Sequence, residues 1–429
     1  MINENRYVIA TGNAIGVIYD STSGELRKTT KEHAEKIEKY LNLCYANAVD
    51  EESLSTFEEY MDKTFGNSSL SIDPIVDLRE TKVINKIELI VANSCNLRCK
   101  YCYAEHGSYG MHESIMTPER SVEYLSSLLI GKYEYIGNVM FFGGEPTLCI
   151  RTVQAVCDFF YEAYRKHLLF NIPVFTMVSN GTLIDEKIVD VIYKYSIHLT
   201  ISLDGPKSIN DKLRVDAVGQ GTYDRIVKGI EMLREKGSQP DMIEATYTSI
   251  HGQGGLSRKE LQNFLKKEFD CVVTVADCCE NGNNDALYVP DYKEQTCDTV
   301  SVNGNADYIR KCLLKKNYSP LGCDVAYGSF LLDTNGCLYP CHFFENKKEY
   351  MIGYYDGKTF NFDNYNNVLE KFGKINKVND QKCKKCWAKA ACRYCPAQKL
   401  LENDEDKKNH DCNSTKEIIK TEILKCAEK

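Results

Sequence analysis

The sequence has little that would place the protein in a membrane or on nucleic acid. No apolar run approaches the roughly 18 residues that a membrane-spanning helix needs, and the opening residues, MINENRYVIA, lack the apolar segment of a secretion signal. Lysine and arginine total 53 against 61 aspartates and glutamates, and this net charge of −8 argues against general nucleic-acid affinity. We therefore expect a cytoplasmic protein with no nucleic-acid partner and no membrane partner.

Cysteine, in contrast, is abundant, with 20 residues in a chain of 429. None falls between Cys157 and Cys271, and most lie in the C-terminal half. Because the cytosol keeps thiols reduced, these cysteines cannot mostly form disulfides. Metal ligation is the most economical explanation for the majority of them.

Three of the cysteines, Cys95, Cys99 and Cys102, have the spacing C-x3-C-x2-C. They follow a strand-like apolar segment at 86–91, which places them at the strand end where α/β barrels carry their active sites. Three thiolates are one fewer than a closed four-ligand site requires. A [4Fe–4S] cluster bound by three cysteines has one open iron, whereas zinc sites more often use paired C-x2-C units.

From residue 84 the chain alternates strand-like and helix-like segments, and the strand-like segments are nearly continuously apolar. Six such repeats predict a parallel sheet wound in one direction. The fold class is therefore α/β, a partial (β/α)6 TIM barrel that is open on one side. The predicted strands are 86–91, 138–142, 173–178, 198–203, 243–249 and 272–276.

Composition divides the rest of the chain. Residues 1–83 contain one cysteine, with strand-like and then helix-like segments, and are predicted to form a small separate α+β domain. The barrel is predicted at 84–286, a connector at 287–310, and a cysteine-rich domain at 311–429. In the cysteine-rich part we expect metal, more than a hydrophobic core, to hold the chain together.

Polar and glycine-rich motifs end the next three strands of the predicted barrel. The second strand ends at Gly143-Gly144-Glu145, the third at Ser179-Asn180, and the fourth at Ser202 with Asp204 nearby. A Gly-Gly turn alone is usually structural. In combination with C-x3-C-x2-C, these motifs resemble the radical S-adenosylmethionine (SAM) enzymes.

This resemblance implies that SAM binds the open iron and is cleaved to a 5′-deoxyadenosyl radical, which abstracts hydrogen from a substrate. It implies that the Gly-Gly-Glu motif holds the methionine amino group and that the polar residues of the third and fourth strand ends contact the ribose. It also implies that Tyr101 packs near the adenine and that Arg214 pairs with the SAM carboxylate. The alternative for Arg214 is an ordinary surface arginine. The implied SAM-binding residues are Tyr101, Gly143, Gly144, Glu145, Ser179, Asn180, Ser202 and Arg214.

The C-terminal cysteines resemble the SPASM extension of radical SAM enzymes, which carries two auxiliary [4Fe–4S] clusters, so that the resemblance implies three clusters in all. One departure is that only two residues separate Cys392 from Cys395, where the family pattern has three. The fourth ligand of the inner cluster stays open between Cys312, Cys337 and a substrate thiolate, and zinc remains an alternative because C-x2-C pairs are also a zinc signature. The implied ligands are Cys383, Cys386, Cys392 and Cys412 for the outer cluster, and Cys323, Cys341 and Cys395 for the inner one.

Enzymes of this family modify peptides and proteins. In those that mature sulfatases, aspartate follows the cysteine of Tyr-Pro-Cys, but here Cys341 is followed by His342, as in maturases of cysteine-rich peptides. The N-terminal segment resembles the precursor-recognition domains fused to such maturases, to which a leader peptide could add a strand. These features favour an enzyme that forms thioether cross-links in a ribosomal precursor peptide, with a ferredoxin or flavodoxin as electron donor.

Three points stay open in the sequence. A sulfatase-type maturase that makes formylglycine is the alternative enzyme, and a non-catalytic iron–sulfur or zinc scaffold that binds peptides is the alternative of another class. His342 is either a base or a residue that packs beside the cluster. Cys278 and Cys279 follow the sixth predicted strand and could face the active site.

Overall fold

The computed structural model describes residues 6–66, 68–73, 75–278, 285–289, 302–401 and 405–428. Among these residues, no helix is both long and apolar enough to cross a membrane. The strands are β1 (Tyr7–Thr11), β2 (Ile15–Asp20), β3 (Leu26–Thr30), β4 (Ser71–Ile72), β5 (Val83–Ala92), β6 (Tyr135–Gly143), β7 (Val174–Ser179), β8 (His198–Ser202), β9 (Met242–Tyr247), β10 (Val272–Asp277), β11 (Asn317–Tyr318), β12 (Ser329–Leu332), β13 (Cys337–Tyr339), β14 (Gly353–Tyr355) and β15 (Phe360–Asn361). The helices are α1 (Lys31–Tyr45), α2 (Glu51–Phe65), α3 (Pro118–Leu129), α4 (Ile150–Arg165), α5 (Glu186–Lys194), α6 (Lys207–Leu213), α7 (Tyr223–Glu235), α8 (Ser249–Gln253), α9 (Arg258–Phe269), α10 (Val302–Lys315), α11 (Tyr365–Ile375), α12 (Pro396–Leu401) and α13 (Glu405–Glu428).

The chain forms two compact units. The first unit consists of residues 1–75, 302–324 and 370–429, and the second consists of 76–301 and 325–369. The predicted boundaries divide the chain differently, because 76–83 belong with the barrel and 325–369 continue its sheet. The predicted N-terminal segment, in turn, shares its unit with two later segments.

A ten-stranded sheet organises the second unit, in the order β10-β9-β8-β7-β6-β5-β12-β13-β14-β15. The six strands β5 to β10 are all parallel, as the sequence predicts, and β12 adds a seventh parallel strand beside β5. The last three strands pair antiparallel. The carboxyl ends of the parallel strands therefore meet at one edge, where the cysteine triad follows β5.

Side chains alternate along the parallel strands between full and partial burial. In β8, Leu199 and Ile201 are buried while Thr200 and Ser202 are half-buried, and β7 and β9 follow the same pattern. Apolar residues such as Ile201 and Ile243 are fully buried. The alternation gives the sheet one dry apolar face and one face of polar or partly accessible side chains, the arrangement of a barrel with an accessible interior.

Side-chain caps mark the first residues of two helices in the second unit. Thr117 caps α3, with Pro118 at its first position, through a hydrogen bond from the Arg120 backbone to the Thr117 hydroxyl. Ser257 and Glu260 form the reciprocal capping box of α9. These caps fix where the helices begin relative to the strand ends.

The first unit has its own hydrophobic cores around an antiparallel β1-β2-β3 sheet. Helices α1 and α2 cover one face of this sheet through Ile37, Leu41 and Met61. Residues from much later in the chain cover the other face, and β3 is a strand that the sequence did not predict. The second core consists of Val8, Ala10, Val17, Tyr19, Ile309, Leu313, Trp387, Ala388, Ala391, Ile419 and Ile423. A hydrophobic core thus accompanies the cysteine-rich segment, where metal was expected to dominate.

Candidate active site

The loop that bears the cysteine triad is held against the end of β6 by backbone contacts. Gly144 and Glu145 donate backbone hydrogen bonds of 2.8 and 3.0 Å to the carbonyls of Ala92 and Ser94. A Cβ at Gly144 would lie 2.2 Å from the Ser94 carbonyl oxygen. Gly143 has a φ of 133°, and a Cβ at this position would clash in the same way with the Ala92 carbonyl oxygen. The two glycines are required here because the backbones touch, which brings the motif directly beside the cysteines.

The three thiols of the triad are half-buried, and amide groups point at two of them. The Leu97 N–H lies 3.4 Å from Cys95 Sγ, and the His106 N–H lies 3.2 Å from Cys102 Sγ. Burial, reinforced by the charge of Glu145, raises the pKa of Cys95 to about 12, and burial also raises the pKa of Cys99. Thiols in such surroundings become thiolates only when a cation compensates them.

This donor set suits an iron–sulfur cluster. Amide hydrogen bonds to cysteine sulfur are among the interactions that tune such clusters. Within the described residues, no group of three His, Cys, Asp or Glu side chains is arranged to hold a single ion. Each thiolate of a [4Fe–4S] cluster binds a different iron, so the triad need not converge on one point.

Glu145 is fully buried and is bound by residues of the next strand end. Its Oε1 accepts hydrogen bonds from the backbone and hydroxyl of Thr147 and from the Ser179 hydroxyl, at 3.0, 2.6 and 2.8 Å. Its Oε2 accepts from the Asn180 backbone at 2.6 Å. Burial raises the pKa of Glu145, and these hydrogen bonds oppose the shift. The carboxylate therefore ties the ends of β6 and β7 together in this structure.

Asn180 connects that carboxylate to the triad. Its side-chain amide donates to the Asn96 side chain at 2.9 Å and lies 3.7 Å from Cys95 Sγ. Ser202, another predicted SAM-binding residue, is half-buried at the end of β8 and pairs with Glu244 of β9. The structure thus places the predicted residues of four strand ends along one edge of the sheet.

Arg214, Tyr101 and Asp204 form a chain of hydrogen bonds beside the triad. The Tyr101 hydroxyl donates to Asp204 Oδ2 at 2.5 Å and accepts from Arg214 Nη1 at 2.6 Å. Arg214 is buried, and its Nε has no hydrogen-bond partner among the described residues. Arg214 is therefore not a surface residue, and its unpaired Nε is a donor available to an anionic group.

Backbone pairing explains why Arg214 lies there. Arg98 and Lys100, within the cysteine loop, donate backbone hydrogen bonds to the carbonyls of Val215 and Leu213, at 2.6 and 3.0 Å. The Tyr101 hydroxyl fixes the guanidinium, and the expectation that the Tyr101 ring packs near the adenine stays a prediction. Burial raises the pKa of Tyr101 well above its usual value, so the phenol stays protonated and donates to Asp204.

The barrel interior contains charged side chains that the sequence did not assign. Glu88, on β5, is 2% exposed; its Oε2 lies 3.0 Å from His342 Nδ1 and accepts from the His342 backbone N–H at 3.1 Å. Burial alone would raise the pKa of Glu88, but His342 and the Lys86 ammonium lower it to about 2. Burial also raises the pKa of Glu244. The available sequence signal for Glu88 was a glutamate flanked on both sides by apolar residues, in the run from Ile87 to Ala92.

The remaining cysteines fall into different surroundings. Cys278 is buried at the end of β10, and Cys279 lies outside the described residues. In the first unit, burial raises the pKa of Cys392 to about 12. The thiols of Cys383, Cys386 and Cys412 raise it as well, and with Cys392 they are the predicted ligands of the outer cluster. Of the other predicted ligands, Cys312, Cys323 and Cys395 belong to the first unit, whereas Cys337 and Cys341 belong to the second.

Comparison with known proteins agrees with this site. Residues 89–267 match the family model of the radical SAM superfamily. This segment includes the triad and each of the predicted SAM-binding residues. The chain therefore contains a radical SAM domain, and that family binds SAM and a [4Fe–4S] cluster.

Relatives extend the similarity beyond this domain. The chain is 26% identical over 370 residues to the cysteine-type anaerobic sulfatase-maturating enzyme of Clostridium novyi, covering 78% of this chain and 94% of that protein. It is 26% identical over 290 residues to the radical SAM cyclopropyl synthase TigE of Paramaledivibacter caminithermalis, covering 60% of this chain and 57% of that protein. The protein is a radical SAM enzyme related to SPASM-type maturases.

A solved structure shares the fold. It is the structure of native anSMEcpe with bound AdoMet and Cp18Cys peptide, which superposes with a TM-score of 0.54 at 20% identity and covers 80% of this chain and 97% of that one. This likeness confirms the partial barrel, and the family match and the relatives confirm the resemblance to radical SAM enzymes of the SPASM type.

Proposed function

We propose that the protein is a cytoplasmic maturase that forms thioether cross-links, from cysteine sulfur to carbon, in a ribosomally made, cysteine-rich precursor peptide. The observation that carries this proposal is His342, which follows Cys341 and is held by Glu88 inside the barrel. Maturation by loss of hydrogen needs a group that takes a proton from the substrate, and an imidazole oriented by a carboxylate suits that task.

In this proposal Cys95, Cys99 and Cys102 hold the cluster that binds SAM. Arg214, with its unpaired Nε, would bind the SAM carboxylate, while Tyr101 and Asp204 keep the guanidinium in place. Gly143 to Glu145, Ser179, Asn180 and Ser202 would line the rest of the SAM site. When bound, SAM and its cluster supply a radical able to abstract hydrogen from an unactivated C–H bond.

The auxiliary clusters are also part of the proposal. Cys383, Cys386, Cys392 and Cys412 would hold the outer cluster, and the effect of the other three thiols on the pKa of Cys392 supports it. Cys323, Cys341 and Cys395 would hold the inner cluster, with Cys312, Cys337 or a substrate thiolate as its fourth ligand. The electron donor would be a ferredoxin or a flavodoxin.

The first unit would bind the leader of the precursor peptide. Its three-stranded sheet has β3 at an edge, and all five β3 side chains are exposed or half-buried. An edge strand presents backbone groups to which an extended peptide can add a further strand. Helices α1 and α2 cover one face of the sheet, so the peptide would bind at the edge strand.

A second candidate function is sulfatase-type maturation, the oxidation of a cysteine or serine to formylglycine. The similarity to the Clostridium novyi enzyme favours it, because the alignment spans nearly all of that protein. The two functions give different products. A thioether removes two hydrogens and the free thiol but keeps the sulfur, whereas conversion of cysteine to formylglycine removes the sulfur.

The test is coexpression of the enzyme with short cysteine-rich reading frames from the same locus, followed by mass spectrometry with thiol alkylation. Loss of two hydrogens per blocked cysteine supports the thioether proposal, and loss of sulfur supports the second candidate. The matched control replaces Cys95, Cys99 and Cys102 with alanine, which we expect to abolish both peptide modification and SAM cleavage. Reductive SAM cleavage that survives in this variant would overturn the assignment of the triad.

A further inference from the structure

Lys377, in the first unit, is a buried lysine surrounded by cysteines. It is 1% exposed, and its ammonium donates to the Cys392 carbonyl at 2.9 Å. Its backbone N–H donates to the Pro320 carbonyl at 2.8 Å, and Nζ lies 5.4 Å from the centre of the Tyr318 ring. The side chain is thus fixed at both ends.

Burial lowers the pKa of Lys377, and the charges that oppose this shift come from thiols. They belong to Cys392 and Cys383 of the predicted outer cluster, and to Cys312 and Cys323, which are associated with the predicted inner one. A buried ammonium is costly unless a negative charge compensates it. No carboxylate is paired with Lys377 in the part of the chain that the structure describes. Cluster-bound thiolates would supply the missing negative charge.

A second lysine contacts the same ligand set. Lys399 Nζ lies 3.2 Å from Cys383 Sγ and 2.8 Å from Asp380 Oδ2. The Cys383 backbone N–H donates to Asp380 Oδ1 at 2.8 Å. Asp380 therefore holds the ammonium and the cysteine in one arrangement, in which the cation is a hydrogen-bond donor to the ligand sulfur.

We propose that Lys377 and Lys399 raise the reduction potential of the auxiliary cluster bound by Cys383, Cys386, Cys392 and Cys412, and so favour the form of that cluster that has gained an electron. The proposal rests on the cluster assignment made under the proposed function. An added electron increases the negative charge of the cluster, and a cation held in a poorly solvated position stabilises that charge. Net charge and hydrogen bonds to sulfur are known determinants of cluster potential.

The experiment uses the full-length, iron-loaded protein with Cys95, Cys99 and Cys102 replaced by alanine, which removes the signal of the SAM-binding cluster. Redox titration is followed by electron paramagnetic resonance. The signal that disappears on a further Cys386→Ala replacement is assigned to the outer cluster. Lys399→Met, Lys399→Arg, Lys377→Met and the control Lys389→Met are then compared in the same background. Lys389 belongs to the same segment, but its ammonium bonds the Lys384 carbonyl instead of a cysteine sulfur.

We expect Lys399→Met and Lys377→Met each to make reduction about tenfold less favourable, a shift of about 59 mV to lower potential for a one-electron couple. Lys399→Arg, which keeps the positive charge, should retain the wild-type potential, and so should Lys389→Met. Iron and sulfide content is measured for each variant, and Lys399→Met decides the question if Lys377→Met does not fold.

An unchanged potential in a fully loaded Lys399→Met protein would overturn this inference and leave the cluster assignment intact. Zinc, or no iron, at the four cysteines of the unsubstituted background would instead overturn the cluster assignment, and the inference with it. The metal content therefore distinguishes the two failures.

Discussion

Glu88 holds His342 by two contacts to one carboxylate oxygen, which lies 3.1 Å from the backbone nitrogen of His342 and 3.0 Å from its Nδ1. The ring also packs 5.0 Å from Phe142, centre to centre. Contact of Nδ1 with a carboxylate sets the tautomer and the rotation of an imidazole and leaves proton exchange to Nε2. This geometry favours the first of the two roles considered for His342, a base acting on the substrate.

His342→Gln should therefore separate peptide modification from SAM cleavage. We expect the rate of peptide modification to fall by about 10²-fold, within the usual contribution of general acid–base catalysis, while formation of 5′-deoxyadenosine continues. Both products are measured in the same reaction by liquid chromatography and mass spectrometry. His198→Gln is the control. His198 is exposed and begins β8, so it lies at the amino end of that strand, whereas the candidate site lies at the carboxyl ends. An equal loss of both products would assign His342 to cofactor binding instead.

Gly144→Ala should disable the SAM site. The added methyl group would lie 2.2 Å from the Ser94 carbonyl oxygen, so the backbone that carries Cys95 has to shift. Overpacking of this kind costs about 1–3 kcal/mol of stability, and displacement of the loop should reduce SAM binding as well. The measurements are the unfolding midpoint and equilibrium binding of SAM.

The matched control for that change is Gly373→Ala, in α11. No atom lies within 4 Å of the Cβ position at Gly373. Alanine is the better helix former, so this variant should be unchanged or up to about 1 kcal/mol more stable. If Gly144→Ala matched Gly373→Ala in unfolding midpoint and in SAM affinity, the contact between the glycine motif and the cysteine loop would contribute neither to stability nor to SAM binding.

Tyr101→Phe should weaken SAM binding without unfolding the protein. The substitution removes the hydroxyl that connects Arg214 to Asp204 and leaves two buried charged groups without that partner. Such a loss costs about 1–3 kcal/mol, so we expect the dissociation constant for SAM to rise about tenfold or more. Isothermal titration calorimetry of Tyr101→Phe and of Tyr193→Phe, an exposed control, gives the comparison. Equal affinities would show that the hydroxyl does not position Arg214.

Glu345→Gln should alter how stability depends on pH. Burial raises the pKa of Glu345 to about 8 from an ordinary value of 4.5, and its Oε2 has no partner among the described residues. The folded state therefore prefers the protonated carboxyl, so the wild type loses stability as pH rises from 4.5 to about 8 and no further above it. The loss is at most about 1.4 kcal/mol per pH unit.

Glutamine resembles the protonated acid and can still accept the 2.8 Å hydrogen bond from the Asn93 side chain. The gain in melting temperature of Glu345→Gln over the wild type should therefore be larger at pH 8 than at pH 6. Calorimetry at both values checks this. A gain that is equal at the two pH values would show that Glu345 is already ionised in the folded protein.

The barrel could be predicted from the sequence because the residues that define each strand and each helix start lie close together in the chain. The strands β5 to β10 are short and rich in apolar residues, and the caps at Thr117 and Ser257 involve residues only three positions apart. Once the strands are known to be parallel, motifs at their carboxyl ends must share one edge. The cysteine triad and the residues of the next three strand ends follow from that reasoning.

Contacts between residues that are distant in the sequence could not be predicted from it. Glu88 meets His342 across 254 positions, and neither residue alone indicates the other. Arg214 and Tyr101 were both predicted for the SAM site, but their hydrogen bond across 113 positions was not. Strand β3, with the sequence LRKTT, has little apolar character and forms by pairing with β2. Tertiary pairing decided each of these cases.

The shared core of the first unit has a consequence for the order of events during synthesis. Val17 and Tyr19 pack with Ile309, Ile419 and Ile423, so the early strands cannot complete their packing until the ribosome has translated some four hundred residues. Strands β5 to β10 of the second unit are synthesised after the N-terminal sheet and before Ile309, and strands that are consecutive in the sequence pair with each other, so their pairing can be completed much sooner. Domains generally fold as units as they emerge, so the barrel should close first. One apolar face of the N-terminal sheet would then stay uncovered until the last residues of this core have been synthesised.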